Sequence, residues 1–526
     1  MSHPPDELPP QEVAAPTPEA SLGRRIAFKT VGGVASLPLN IALQFLVSRA
    51  LGAAQYGNFS FLAAFFTSVT GLADAGTSQA FYNRASQRPD DAALFGFYGR
   101  YVLAVLAIIG GLILVAFASG AAGDIWPGFS LGLVILAATM ASGNWVITIV
   151  GKAVDAFALT SRGELAHLVV RVVLVSTVAL AAWRHQFDLR AFFTLQVLCN
   201  TLLVVVLVAI IAPRKSIRGA TAPLDGDTRR RYGREFWLFS HPLLVTTIAT
   251  VLADIADRWL LQRFGGAQQQ GYLGLGLQIA TVVLIFGSST AALLGREFAR
   301  AYHVRDFDRL RADFHDHLPK AYFVTAYFGV FLATQASVII RLFAGERFQM
   351  AGAATAIICL YPLHQVYGQV GNSLLYATDR GRVLRSIIWF NVLFGLSLTV
   401  FLVGPRAIGA LDLGAVGFAS KMVVHQIVIV NIVLFMNARF LGIPFLDLLG
   451  RQVITPVVLG ALAWGTTFGI ERLVTPSLVS FVLSGVVYSL AVGLLVWRLP
   501  RSVGLPAQFT LAALLAPLGR RLGFAR

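Results

Sequence analysis

Apolar residues in this chain come in long runs rather than at the intervals of a water-facing helix. Residues 195–212 and residues 386–404 contain no charged side chain. A helix rising about 1.5 Å per residue needs roughly 20 apolar residues to cross the hydrocarbon of a bilayer. Fourteen segments meet that pattern: residues 26–49, 58–83, 95–118, 128–150, 164–182, 190–212, 237–262, 270–295, 320–343, 351–376, 386–404, 414–437, 453–471 and 477–497. They predict an all-α polytopic membrane protein with about 14 transmembrane helices. The longest break, residues 213–236, is rich in Arg.

Composition excludes a soluble enzyme. Of the 526 residues, 56% are hydrophobic and 13% charged, where a soluble protein carries roughly 25% charged. The net charge of +16 would suggest a nucleic-acid partner in a soluble chain. Here no nucleic acid is expected, because Lys and Arg collect on one side of the spans. With the N-terminus inside, the inner side holds 31 of the 42 Lys and Arg residues and the outer side eight, which places both termini in the cytoplasm. Cys199 and Cys359 both lie in apolar runs, so no disulfide framework, metal cluster or cofactor is expected. Gly151-Lys152 has Val146 where a phosphate-binding loop needs Gly, so ATP drive within the chain is not expected either.

The chain repeats itself. Leu51-Gly52-Ala53-Ala54-Gln55-Tyr56-Gly57 follows the first span, and Phe264-Gly265-Gly266-Ala267-Gln268, then Gly271-Tyr272, follows the seventh, at an offset of 213. Thr160-Ser161-Arg162-Gly163 leads into the fifth span and Thr378-Asp379-Arg380-Gly381 into the eleventh, at an offset of 218. Two six-span units that enter the membrane the same way are related by a pseudo-two-fold axis along its normal, with substrate between them. The expected organisation is a Pro-rich disordered tail (1–23), an N-lobe (24–212), a basic cytoplasmic linker (213–236), a C-lobe (237–440), spans 13 and 14 (441–499) and a basic amphipathic tail (500–526).

Several of these residues also carry a family likeness. Arg49 through Gly57, with Asp74-Ala75-Gly76, resembles the start of bacterial polysaccharide transporters, the oligosaccharide flippases of the multidrug/oligosaccharidyl-lipid/polysaccharide (MOP) exporter superfamily. Asp257-Arg258 with Phe264-Gly265 and Gly271-Tyr272 resembles the start of that family's second lobe, and Gly414 through Ala419 also fits. The resemblance covers about residues 25–440. It implies alternating access between two lobes in a bacterial inner membrane. It also implies a lipid-linked oligosaccharide as cargo, carried in many relatives on undecaprenyl pyrophosphate, moved from inner to outer leaflet for surface polysaccharide biosynthesis. A polysaccharide polymerase or assembly machinery would be the partner.

Polar side chains inside spans are costly and face a cavity or a partner helix. Ser36, Asn40, Gln44 and Ser48 recur every four residues in span 1, and Thr67, Thr70, Asp74 and Thr77 share a face of span 2. Thr247, Thr250, Asp254 and Arg258 share one in span 7, and Gln365, Gln369, Asn372 and Tyr376 one in span 10. Glu164, His167 and Arg171 do so in span 5, and Lys421 and His425 are a turn apart in span 12. A pyrophosphate crossing the membrane needs cations, and amides suit sugar hydroxyls. Candidate cargo contacts are therefore Arg171, Lys421, Arg258, Arg49, Asn40, Gln44, Gln365, Gln369 and Asn372. Candidates for a coupling proton or sodium ion are Asp74, Asp254 and Asp257. The same stripes serve equally as hydrogen bonds between helices, Arg171 as a partner of Glu164 or His167, and Arg258 as a partner of Asp254. Two other functions compete: an ion-coupled drug or small-molecule antiporter of the same fold, and a membrane glycosyltransferase or polymerase. The latter needs a sizeable outer loop, and no outer loop here exceeds about a dozen residues.

Overall fold

The computed structural model describes residues 22–185, 187–475 and 477–505. The expected N-terminal tail up to residue 21 and the expected amphipathic segment beyond Leu505 lie outside the described residues. The first lobe contains α1 (Leu22–Asp74), α2 (Thr77–Gln87), α3 (Ala92–Ala118), the short turn α4 (Ala122–Ile125), α5 (Leu131–Ala156), α6 (Thr160–Trp183) and α7 (Leu189–Ile211). A second turn, α8 (Lys215–Arg218), leads to the other lobe: α9 (Gly226–Leu260), α10 (Gly266–His303), α11 (Phe307–Thr334), α12 (Ala336–Ala344), α13 (Ala351–Ile358), α14 (Tyr361–Ala377), α15 (Gly381–Val403) and α16 (Gly414–Leu441). α17 (Phe445–Glu471) and α18 (Leu478–Arg498) pack on α11, where Tyr488 stacks on Tyr327 and Phe331. Each of the fourteen expected spans falls on helix. Among the described residues nine helices are long and apolar enough to cross a membrane by themselves, eleven if each of two bent pairs is one span.

The breaks between spans follow local chemistry. Span 10 is split into α13 and α14 because Pro362, in the first turn of α14, has no amide to give a preceding helix. Span 9 bends by 68° between α11 and α12. A 63° bend separates residues 226–241 from residues 244–284, at the position of Pro242. The second half of the expected linker, from Gly226, is helical and runs on into the start of span 7 as the first arm of α9, before the bend. Its Tyr232 and Phe236, one turn apart, bury one face against Phe97 and Tyr98 of α3. Tyr232 donates to Asp91 Oδ2 at 2.5 Å, and burial, with that carboxylate beside it, raises the pKa of its hydroxyl.

The repeat is visible in the backbone, one residue out of the sequence register. α1 is two helices merged across Gly52, whose φ is 72° and ψ 173°. In the second lobe α9 ends in a π turn, and Gly266, with φ 80° and ψ 176°, starts α10. Both positions sit in a backbone region that favours glycine. Gly52 therefore pairs with Gly266, and Gly57 with Gly271, at an offset of 214 rather than 213. The matched motifs meet in space: a Cβ on Gly57 would lie 1.7 Å from the Ala267 carbonyl oxygen, and one on Gly271 would lie 2.1 Å from that of Ala53. Glycines let α1 and α10 touch backbone to backbone at the end of the molecule away from the linker, here called the far end. Phe45 stacks on Phe343, and Tyr56 and Tyr272 both meet Phe348, closing the lobes together there.

Candidate functional site

Behind that seal lies a cavity of about 700 Å³ between the lobes. α1 lines it from Gln44 and Tyr56 to Thr67 and Ser68, so it runs roughly 18 Å along the second arm of that helix. The opposite wall is built from α9, α10, α15 and α16. The first lobe contributes neutral polar groups: Gln44, Tyr56, Ser60, Thr67 and Ser68. Gln44 is oriented by Tyr56, whose hydroxyl donates to Gln44 Oε1 at 2.9 Å.

The charges stand on the other wall. Lys421 of α16 forms a buried ion pair with Asp257 of α9. The second oxygen of Asp257 accepts from the Thr399 hydroxyl of α15 at 2.6 Å, so one carboxylate ties three helices. A buried pair of this kind holds because each charge is matched and hydrogen-bonded. Arg258, the residue after Asp257, lies over the ring of Phe418, one turn before Lys421, at 5.8 Å, and the Lys421 ammonium lies 5.4 Å from the same ring. Arg258 donates to Gln270 Oε1 at 3.4 Å, and Gln270 Nε2 returns a bond to the Arg258 carbonyl at 2.5 Å. Among the described residues no ion pair joins Arg258 to Asp254. The Asp254 side chain is exposed to the cavity. His425 Nε2 donates to the Asn391 carbonyl at 3.0 Å, on the same wall.

A second cavity, about 410 Å³, adjoins the first and shares Gln44, Gln278 and Thr281 with it. Its other walls are nearly all apolar, among them Leu37, Phe45, Ile279, Leu332, Phe343 and Phe481, with Asn40 at one side. A polar chamber thus continues into an apolar crevice between α1 and α10.

The remaining candidates lie elsewhere. Asp74 sits at the break between α1 and α2, where its two oxygens accept from the Ser78 amide and hydroxyl at 3.3 and 2.9 Å and from Trp145 Nε1 at 3.0 Å. Lys152 reaches the same cluster through the Ser78 hydroxyl at 2.7 Å. Arg171 is in the first lobe, beside His167 on its own helix and Cys199 on α7, and does not line the cavity. Arg49 is exposed at the far end and donates to the Leu342 carbonyl at 3.2 Å, at the C-terminus of α12. Gln365, Gln369 and Asn372 lie along α14 inside the second lobe, their side-chain oxygens buried without a hydrogen-bond partner, and only Tyr361 of α14 reaches the cavity. The sequence reading missed Thr399, Asn391, Gln278 and Tyr361. Asn391 and Thr399 are eight residues apart in span 11, and the spacing rule used for the other spans would have found them. Among the described residues no three or more His, Cys, Asp or Glu side chains gather as a metal site.

Two six-helix lobes around a central cavity, followed by two further helices, have the fold of the MOP superfamily transporters. Among solved structures, the chain is similar to the lipid II flippase MurJ in an inward closed conformation, with a TM-score of 0.65 at 14% identity over 90% of this chain and 100% of that one. It is similar to a multidrug resistance MATE family transporter in an inward-facing conformation, with a TM-score of 0.61 at 12% identity over 80% of this chain and 98% of that one. It is also similar to a MATE protein in complex with MaL6, at a TM-score of 0.52 and 12% identity, covering 80% of this chain and 95% of that one. No protein-family model and no curated sequence matches the chain. The likeness is one of fold, and the solved neighbours it picks out are transporters.

Proposed function

We propose that the protein flips an anionic, lipid-linked oligosaccharide from the inner to the outer leaflet of a bacterial inner membrane by alternating access, for surface polysaccharide assembly. One observation carries this reading: the polar, charged chamber is continuous with an apolar crevice open along α1 and α10. A drug-sized or wholly hydrophilic cargo needs no such second compartment, whereas a lipid-linked sugar carries one polar and one apolar half. Gln44, Gln278 and Thr281, at the junction, would meet the first sugars, with Asn40 beside the lipid. Arg258 would receive the phosphates through its planar fork, with Lys421, held by Asp257, beside it. Asp254 is the acid we assign to the coupling proton or sodium ion, since the Asp257 carboxylate is taken by Lys421 and Thr399 and that of Asp74 by Ser78 and Trp145.

The test is gene deletion followed by extraction of lipid-linked sugars. The surface glycan is expected to disappear while a complete lipid-linked repeat accumulates on the inner leaflet. An unchanged glycan and lipid pool, with increased sensitivity to small toxins instead, would replace this reading by small-molecule export, a class to which one solved neighbour is assigned by its description as a multidrug resistance transporter.

A further inference from the structure

A different cleft between the lobes opens at the end that carries the basic linker. It lies between the end of α1, α3 and the bent start of α9, and it has a volume of about 400 Å³. Its walls are mostly apolar, with Leu72, Phe97, Phe236 and Trp237 prominent. Through Phe97 and Tyr101 it is continuous with a mouth of about 640 Å³ that carries Arg100 and Arg229. One polar atom is out of place in the apolar part. Ser240 lines it at 5% exposure, and its hydroxyl has no hydrogen-bond partner. A buried hydroxyl left unmatched is unfavourable, and native structures rarely leave one without a partner.

We propose that this cleft binds an anionic phospholipid of the adjacent leaflet. One acyl chain fills the apolar part, an ester oxygen accepts from Ser240, and the phosphate rests between Arg100 and Arg229. A phospholipid is the ligand that unites these features, since it is apolar below, carries ester acceptors at the boundary and is anionic at the head. A free phosphate would leave the groove and the hydroxyl unfilled. Arg100 also donates to the Thr221 and Ala222 carbonyls at 3.3 and 2.6 Å, so a lipid on Arg100 is tied to the linker. Because α3 and α9 belong to opposite lobes, a lipid wedged there would hold their relative position. This site is separate from the cargo chamber and does not depend on what the cargo is.

The test uses the purified, delipidated full chain and native mass spectrometry with phosphatidylglycerol or phosphatidylcholine added back. The chain should retain one phosphatidylglycerol in preference to phosphatidylcholine. Arg229→Gln should weaken that retention about fivefold, the share of one surface Arg in attraction to an anionic lipid. Gly233→Leu should abolish it: Gly233 lines the cleft, a Cβ added there meets nothing within 4 Å, and Leu is the better helix former. Its melting temperature should therefore not fall. Retention unchanged in both variants, or equal retention of the two lipids, overturns the proposal. Displacement of the lipid by soluble glycerol 3-phosphate would also overturn it, in favour of a free-phosphate site.

Discussion

Replacing Gly57 by Ala tests whether the glycine contact seals the far end. The added Cβ would lie 1.7 Å from the Ala267 carbonyl oxygen and 2.7 Å from both the Ala267 carbonyl carbon and the Gly271 amide nitrogen. Ordinary carbon contacts lie at about 3.5–4 Å, so α1 and α10 must part by roughly 2 Å at the crossing. The obstructing atoms are helix backbone, and no rotamer change relieves them. Overpacking of this kind costs about 1–3 kcal/mol. Since the contact joins two lobes, the cost falls on the sealed state alone. It becomes a shift of about 5- to 150-fold in favour of a parted far end. Arg190→Cys and Met350→Cys place spin labels on exposed far-end positions of the two lobes, while the native Cys199 and Cys359 are buried. Dipolar distance measurements in detergent should show a longer population in Gly57→Ala that the parent lacks. Gly110→Ala, which meets nothing within 4 Å, is the control and should leave the distances alone. An unchanged distance distribution in Gly57→Ala, with an unchanged melting temperature, would refute the seal.

Two further variants probe the polar clusters. Lys421→Met and Asp257→Asn each strand a buried charge and should each cost about 3–5 kcal/mol. The double variant strands none and should unfold at a higher temperature than either single in detergent; strictly additive losses would show that the pair is not the source of the effect. Asp74→Ala should cost about 1–3 kcal/mol by leaving Trp145 Nε1 and the Ser78 amide without their acceptor. Asp74→Asn keeps one acceptor oxygen and should lose less, so equal midpoints for the two variants would contradict this role.

The helices were legible because a bilayer imposes a single length and polarity on every span, and all fourteen apolar segments fall on helix. The positions within them were less so. A four-residue stripe shows that Asp254 and Arg258 share a face but not which helix that face meets. The sequence does not reveal the partner of Lys421, because Asp257 lies 164 residues away and only the packing of the second lobe joins them. Asp74 is open in the sequence to two readings, a coupling acid or a structural partner of a neighbouring helix, for the same reason: Trp145, which donates to it, is on another helix. The one-residue error in the repeat offset arose because two adjacent glycines, Gly265 and Gly266, are interchangeable as letters. Only backbone dihedrals show that Gly266 has the positive φ that Gly52 has.

The placement of charge fits a molecule whose two halves move apart. Inside the cavity, the acids and bases all belong to the second lobe, and the Asp257–Lys421 pair is closed within that lobe by α9, α15 and α16. A buried pair broken by lobe motion would leave two unmatched charges in a poorly hydrated space, at several kcal/mol each. The surfaces that meet across the seal are instead mainly glycine backbone and aromatic rings, and the Arg49 guanidinium that reaches the Leu342 carbonyl there is exposed, so water can replace its partner as the halves part. Ion pairs do cross between lobes at the basic end, where Glu235 of α9 meets Arg84 at 3.5 Å and Arg88 at 3.3 Å. Those side chains are partly exposed, so water can replace each partner as it leaves, and exposed pairs are worth only about 0–1 kcal/mol. The strong buried ion pair is thus kept within a lobe and the exposed ion pairs lie between lobes, so under the alternating-access reading proposed above the barrier to rocking would be set by apolar packing and by the glycine crossing.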